Sequence, residues 1–165
     1  MVETEGTQKF IFDCNVWIHL ILQGQSSFFQ QLELNNYQII LTSYNAVEIL
    51  RVLKRISKRT NVPFERLENL AWNSWKFPCI HPIFDKPMSD AIINEVRILP
   101  EYAIIAKAFD LEQKDVPYVI AVFQYDAVLV TKDQRSLVSR AEILQEKLGI
   151  RIITWDSFLE LLQTD

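Results

Sequence analysis

The sequence predicts an α/β fold, a three-layer α/β/α sandwich around a central, mostly parallel sheet of four or five strands. Three observations carry that prediction. Short apolar, β-rich runs alternate with longer stretches of helical periodicity. The runs are apolar throughout, as in AVLVT at 127–131, which is the pattern of strands covered on both faces. Acidic residues stand where such strands end and helices begin, the edge at which open α/β sheets bind ligands. At 165 residues and 49% hydrophobic composition, the chain suits one domain, 1–165, with a sizeable core.

The elements follow in order. KFIFD at 9–13 reads as a short buried strand that delivers Asp13 to its carboxyl edge, and NVWIHLIL from Asn15 reads as the next helix. A helix over 26–34 leads through the turn signal Asn35-Asn36 into the strand YQIILT, ending at Thr42. Ser43 is the expected N-cap of a helix over 44–58, which places Glu48 near its first turns. Asn61-Val62-Pro63 breaks that helix, 64–75 forms another, and 79–81 is a short third strand. The stretch 88–109 reads as two helices interrupted near Leu99-Pro100, because a proline disfavours helical geometry in the residue before it. A helix over 116–124 carries Pro117 in its first turn, where a missing N–H does no harm. The strand 127–131, a helix over 136–148, a strand over 151–154 and a helix over 157–162 complete the chain. No repeat, linker or low-complexity tract interrupts the series.

Composition narrows the function classes. The apolar runs fall far short of the roughly 20 residues that span a bilayer, and the first nine residues are polar, so the expected location is the cytoplasm. Two cysteines and two histidines supply neither a disulfide framework nor a zinc spacing, so Cys14 and Cys79 read as buried thiols. A formal net charge of −4 gives no global attraction for a polyanion, so any nucleic-acid binding must use a local patch or a bound metal.

Asp13, Glu48, Asp115 and Asp133 are the candidate site. Carboxylates gathered at one sheet edge repel one another unless a divalent cation sits among them. Each also has a plain structural reading: Asp13 and Asp115 as helix caps, Asp133 as a loop residue, and Glu48 as an acid favoured by the helix macrodipole.

Taken together, these segments resemble the PIN domain, a metal-dependent nuclease fold that includes toxins of toxin–antitoxin pairs. FIFDCN is similar to that family's opening strand, aspartate and asparagine, which bears on Asp13 and Asn15. LTSYNAVEILRVL places Glu48 at the family's helix-borne acid, and DVPYVIAVFQYDAVLVTKD matches with Asp115, Asp133 and Thr131 in the Thr-x-Asp position. IRIITWDSFLELL resembles the final strand and helix, so the resemblance covers nearly the whole chain. The sequence departs from the pattern after Asp133, where Gln134, Arg135 and Ser136 stand in place of a further acid; this counts against a second, more weakly held metal. Asp110 and Glu112 are alternatives for an outer carboxylate but read as solvated, and Asp126 belongs to a turn facing away from the site.

The resemblance implies an endoribonuclease that uses Mg²⁺ or Mn²⁺, as oxygen ligands favour, to hydrolyse RNA phosphodiesters. Asp13, Asp115 and Asp133 would hold the metal, Glu48 would complete the cluster or orient the attacking water, and Asn15 and Thr131 would support them by hydrogen bonds. An antitoxin protein is the implied partner. A non-catalytic PIN-fold module that binds RNA or serves in an assembly is the alternative. A phosphatase is disfavoured, since Asp13 is followed by Cys14 and Asn15 and not by a second aspartate two residues on.

RNA contact is expected along the helix after Glu48. Arg51, Lys54, Arg55, Lys58 and Arg59 recur at helical spacing opposite Leu50, Leu53 and Ile56. At about 100° per residue, Arg55 and Arg59 fall within roughly 20° of Glu48. Arg51, Arg55 and Arg59 are the RNA-binding candidates; a solvated face is the plain reading. Trp17, Trp72, Trp75, Phe28, Phe29 and Tyr118 suit packing or a homodimer contact better than base stacking.

Overall fold

The computed structural model describes residues 6–24, 26–83, 100–133 and 135–163. Among them, five strands form one sheet in the order β3-β2-β1-β4-β5, with every neighbouring pair parallel. The strands are β1 (Gln8–Phe12), β2 (Tyr37–Thr42), β3 (Ile80–Ile83), β4 (Val128–Thr131) and β5 (Arg151–Thr154). The helices are α1 (Cys14–Gln23), α2 (Ser26–Leu34), α3 (Ser43–Thr60), α4 (Phe64–Trp75), α5 (Pro100–Phe109), α6 (Val116–Tyr125), α7 (Ala141–Leu148) and α8 (Trp155–Gln163). The α/β sandwich expected from sequence is thus the observed fold.

The continuous apolar strands are explained by a core on each face. Phe10 and Phe12 on β1, Ile39 and Leu41 on β2, and Val128 and Val130 on β4 turn one way, against Trp17, Phe28, Phe29, Leu53 and Phe158. The alternate residues Ile11, Ile40 and Leu129 turn the other way, against Tyr118, Val119, Val122 and Leu144. Period-two alternation here divides two cores and does not separate core from solvent. Phe12 sits in an aromatic cage of Trp17, Phe28, Trp155 and Phe158 with ring centroids 5.3–6.3 Å away, mostly edge-on.

Several boundaries differ from the sequence reading, each for a local reason. β1 stops at Phe12, because Asp13 leaves the strand to cap α1. Thr42, not Ser43, caps α3: its Oγ1 accepts from the Asn45 amide at 3.1 Å. β3 runs through Pro82, which an edge strand tolerates because one side of its backbone has no ladder to complete. The helix expected over 136–148 begins only at Ala141. Before it, the Ser139 hydroxyl donates to the carbonyls of Arg135 and Ser136, and Val138–Arg140 forms a 3₁₀ turn. α8 starts at Trp155, since Thr154 accepts from the Ser157 amide and Trp155 is buried. The break at Asn61 is as expected, with Asn61 ending α3 in the left-handed region at φ 57°. Of the two helices expected over 88–109, the first lies outside the described residues and the second is α5. No helix among the described residues is long and apolar enough to cross a membrane.

Topology fixes where a site belongs. The chain passes from β1 outward through β2 to β3, then returns to the other side of β1 as β4 and β5. The direction of winding reverses between β1 and β4, so a crevice opens beyond their carboxyl ends. Asp13 follows β1 there, and Thr131 ends β4.

Candidate active site at the carboxyl edge of the sheet

Each acid reaches the crevice by a different route. Asp13 is held between strand and helix: its amide donates to the Val130 carbonyl at 2.9 Å, and its Oδ1 accepts from the Cys14 amide at 2.7 Å. The capping reading of Asp13 is therefore correct, and it leaves the side chain beside the crevice. Glu48 rises from the second turn of α3. Asp115 ends a 3₁₀ turn, Gln113–Asp115, just before α6, and makes no side-chain cap to that helix. Its Oδ2 instead accepts from the Ser136 hydroxyl at 2.6 Å. Asp133 lies two residues beyond β4, its Oδ1 accepting from the Arg135 amide at 2.9 Å.

These four acids line one cleft of about 280 Å³, together with Cys14, Asn15, Val52, Arg55 and Lys114. The structure brings together all four predicted acids and Asn15, which is exposed at the rim. Thr131 is fully buried and joins two of them: its Oγ1 donates to Asp13 Oδ2 at 2.7 Å and accepts from the Asp133 amide at 3.0 Å. One hydroxyl thereby fixes the carboxylate after β1 and the loop after β4, which gives the Thr-x-Asp spacing a physical meaning. Of the basic candidates, Arg55 reaches the cleft, while Arg51, before it on α3, and Arg59, after it, are exposed and do not line it.

The acids feel one another. Burial pushes the Asp13 carboxyl above its usual range; the Thr131 hydrogen bond opposes this, and the charges of Glu48 and Asp133 add to it. Asp115 is also raised, first by burial, with Ser136 opposing and Asp13 adding to the shift. Proximity and burial thus make full ionisation costly, a condition that a divalent cation relieves. The donor set, carboxylate oxygens with hydroxyl support, fits a hard cation such as Mg²⁺ or Mn²⁺. Among the described residues, however, no three or more His, Cys, Asp or Glu side chains converge as a formed metal cluster.

Three contributors escaped the sequence reading. Ser136 was noted only as a departure from an acidic pattern, and its contact with Asp115 spans 21 positions. Lys114 lines the cleft beside Asp115 and pairs with Glu112 at 3.1 Å. Tyr118, grouped with the packing aromatics, is buried as expected but also donates to Glu48 Oε1 at 2.8 Å, so it is not available for stacking. Trp17, Trp75, Phe28 and Phe29 are buried in the core, and Trp72 packs edge-on against Trp75. None of these four buried rings offers a contact face for a second copy. Asp110 pairs with Arg140, away from the cleft lining, and Asp126 ends α6 at the opposite edge of the sheet. Both cysteines are buried, and burial pushes the Cys79 thiol up to about 11.

No protein-family model and no curated protein matches the chain. Solved structures do. PAE2754 from Pyrobaculum aerophilum superposes with a TM-score of 0.64 at 16% identity, covering 96% of this chain and 98% of that one. VapBC2 from Rickettsia felis, bound to a DNA fragment from their promoter, superposes with a TM-score of 0.56 at 14% identity, covering 90% and 99%. The fold is PIN-like. At these identities the likeness is one of architecture, and in a PIN-like fold the cleft described above lies at the reversal of strand order.

Proposed function

We propose that this chain is a Mg²⁺- or Mn²⁺-dependent endoribonuclease and the toxin component of a toxin–antitoxin pair. The observation that carries the reading is that Asp13, Glu48, Asp115 and Asp133, from four separate segments, line one cleft at the switch point of the sheet. Asp13, Asp115 and Asp133 would hold the cation, with Thr131 and Ser136 keeping two of those carboxylates in place by donated hydrogen bonds. A cation held there would supply charge neutralisation at the phosphate and would lower the pKa of a bound water. Glu48 would orient the attacking water by accepting a hydrogen bond from it and would take up its proton. Asn15, exposed and lining the cleft, would donate to a phosphate oxygen, and Arg55 and Lys114 would offset the acidic charge that otherwise repels the substrate.

The basic face of α3 extends this site. Arg51, Lys54, Arg55, Lys58 and Arg59 stand against Glu48 as the only acid of that helix, in a chain of net charge −4. Among the described residues none of the five is joined to a carboxylate by a salt bridge. Exposed cations of one sign without partners are the footprint of a polyanion, and this face begins at the cleft.

A specific observation favours a second reading. Since no three acids converge as a formed cluster among the described residues, a PIN-fold module that binds RNA without cleaving it is the competitor. The deciding experiment is cleavage of single-stranded and structured RNAs with Mn²⁺, Mg²⁺ or EDTA, beside an Asp13→Asn/Asp115→Asn variant. Metal-dependent cutting that the variant loses supports the nuclease; RNA binding without cutting by folded protein supports the module. The antitoxin proposal draws on the family resemblance and on the likeness of fold to VapBC2. Co-purification with the product of a neighbouring gene tests it, and absence of a complex counts against it. A homodimer rests on the resemblance alone, and monomeric sedimentation would remove it.

A further inference from the structure

Two polar side chains are sealed behind the cleft and do not line it. Asn45 on α3 is fully buried, and Tyr118 on α6 is 2% exposed. Asn45 Nδ2 donates to the Tyr118 hydroxyl at 3.0 Å, and that hydroxyl donates to Glu48 Oε1 at 2.8 Å. A phenol carries a single proton and accepts through its oxygen. With the Asn45 amide donating to that oxygen, the proton is directed to Glu48.

The amide's orientation costs a hydrogen bond elsewhere. Asn45 Oδ1 is buried and has no partner among the described residues. Turning the amide over would let Oδ1 accept from Tyr118, but the phenol's only proton would then be lost to Glu48, which would keep only its side-chain contacts with Tyr44 and Cys14. The arrangement found leaves an orphan acceptor in the interior and keeps the hydrogen bond at the cleft. Orphaned buried acceptors are rare, and one beside a cleft calls for such an explanation.

We propose that Asn45 and Tyr118 are positioning residues that act through Glu48, fixing the direction of its carboxylate and the spacing of the two cleft walls. α6 begins just after Asp115 and carries Tyr118 within its first turn, while α3 carries both Asn45 and Glu48 one turn apart. The relay therefore ties the helix that bears Glu48 to the helix that Asp115 precedes. Tyr44 closes its outer side: its ring meets Tyr118 edge-on at 5.6 Å, and its hydroxyl donates to the Lys114 carbonyl at 3.0 Å. Burial and the charge of Glu48 hold the Tyr118 phenol well above its usual range, so it stays a donor.

In its catalytic consequence the inference rests on the nuclease reading, so the test has two arms. In the first, kcat and KM for RNA cleavage with Mn²⁺ are measured for wild type, Tyr118→Phe, Glu48→Gln and the double variant. Loss of a hydrogen bond to a charged group predicts a kcat lower by about 10–100-fold for Tyr118→Phe, with KM little changed. The double variant should be no slower than Glu48→Gln alone. In the second arm, NMR of metal-free wild type should show a slowly exchanging Tyr118 hydroxyl proton. The Asn45 side-chain amide signals should shift in Glu48→Gln, two positions along the relay. An unchanged kcat in Tyr118→Phe, or losses that multiply in the double variant, would overturn the proposal. So would an Asn45 signal indifferent to Glu48→Gln. If wild type cleaves no RNA, the nuclease reading falls and the NMR arm alone decides whether the relay exists.

Discussion

Replacing Arg55 and Arg59 with alanine tests whether α3 guides a nucleic acid into the cleft. At a rise of about 1.5 Å per residue, Arg55 stands roughly 10 Å and Arg59 roughly 16 Å along the helix axis from Glu48. Both share the angular sector of Glu48, and Arg55 lines the cleft itself. If all five cations of α3 meet phosphates of a single strand, the binding constant should fall with a log–log salt slope near −3.5, at about 0.7 per contact. Removing two contacts should bring the slope to about −2.1. Between 50 and 200 mM salt, wild type would then lose affinity by about 100-fold and the variant by only about 20-fold. Fluorescence anisotropy of a labelled single-stranded RNA, in EDTA to prevent cutting, reads both slopes. Lys107→Ala/Lys147→Ala, which removes the same charge from other helices, is the control. Equal slopes in all three proteins would refute the track and return the face to a solvated surface.

Two further outcomes follow from the cleft. Thr131→Val keeps the shape of a buried residue but removes the donor to Asp13 and the acceptor for the Asp133 amide, and should destabilise the protein by about 1–3 kcal/mol; urea unfolding measures this, and a change below about 0.5 kcal/mol would show that neither hydrogen bond contributes. Asp13 and Asp115 have folded values raised above 3.8, so the stability they contribute in metal-free protein is fully present below that pH and is lost as pH rises through the raised values. Saturating Mn²⁺ should reverse the trend at neutral pH, adding about 2.7 kcal/mol at a hundredfold excess over Kd, and the gain should vanish on acidification. No Mn²⁺-dependent shift in unfolding at pH 7 would argue against a cation in the cleft.

The elements that follow from local chemistry were legible in the sequence. AVLVT reads as a strand buried on both faces and is found as Val128–Thr131, and Asn61 before Val62-Pro63 ends the helix as expected. Asp13 was legible as a candidate because it follows the first apolar strand, and the same position caps α1 and closes the β1–β4 edge. What a linear reading could not supply were contacts made across the chain. The hydroxyls of Tyr118 and Ser136 reach carboxylates 70 and 21 positions away, whereas the support expected of Thr131 is found, on a carboxylate 118 positions away. Their residue types fit several roles, and the fold selects one. The delayed start of α7 belongs to the same class: periodicity favours a helix from Ser136, but the Ser139 hydroxyl bonds back to the Arg135 and Ser136 carbonyls and the segment stays in turns until Ala141.

Ser136 shows how a departure from the family pattern acquires a physical reading. In the resemblance, the positions after Asp133 are where a further acid is expected. Here one of them delivers a hydroxyl to Asp115 Oδ2 at 2.6 Å, among the forces that hold the Asp115 carboxyl down against burial and the charge of Asp13. A carboxylate at Ser136 would instead add a like charge beside a buried acid, and that arrangement calls for a second cation to be tolerable. A hydroxyl donor achieves part of the same neutralisation without a metal, and on the proposed reading Asp115 would then share a single ion with Asp13 and Asp133. On the proposed nuclease reading this would favour one cation over two, with the Thr131 bridge and the Ser136 donor each holding one of the acids that would bind it.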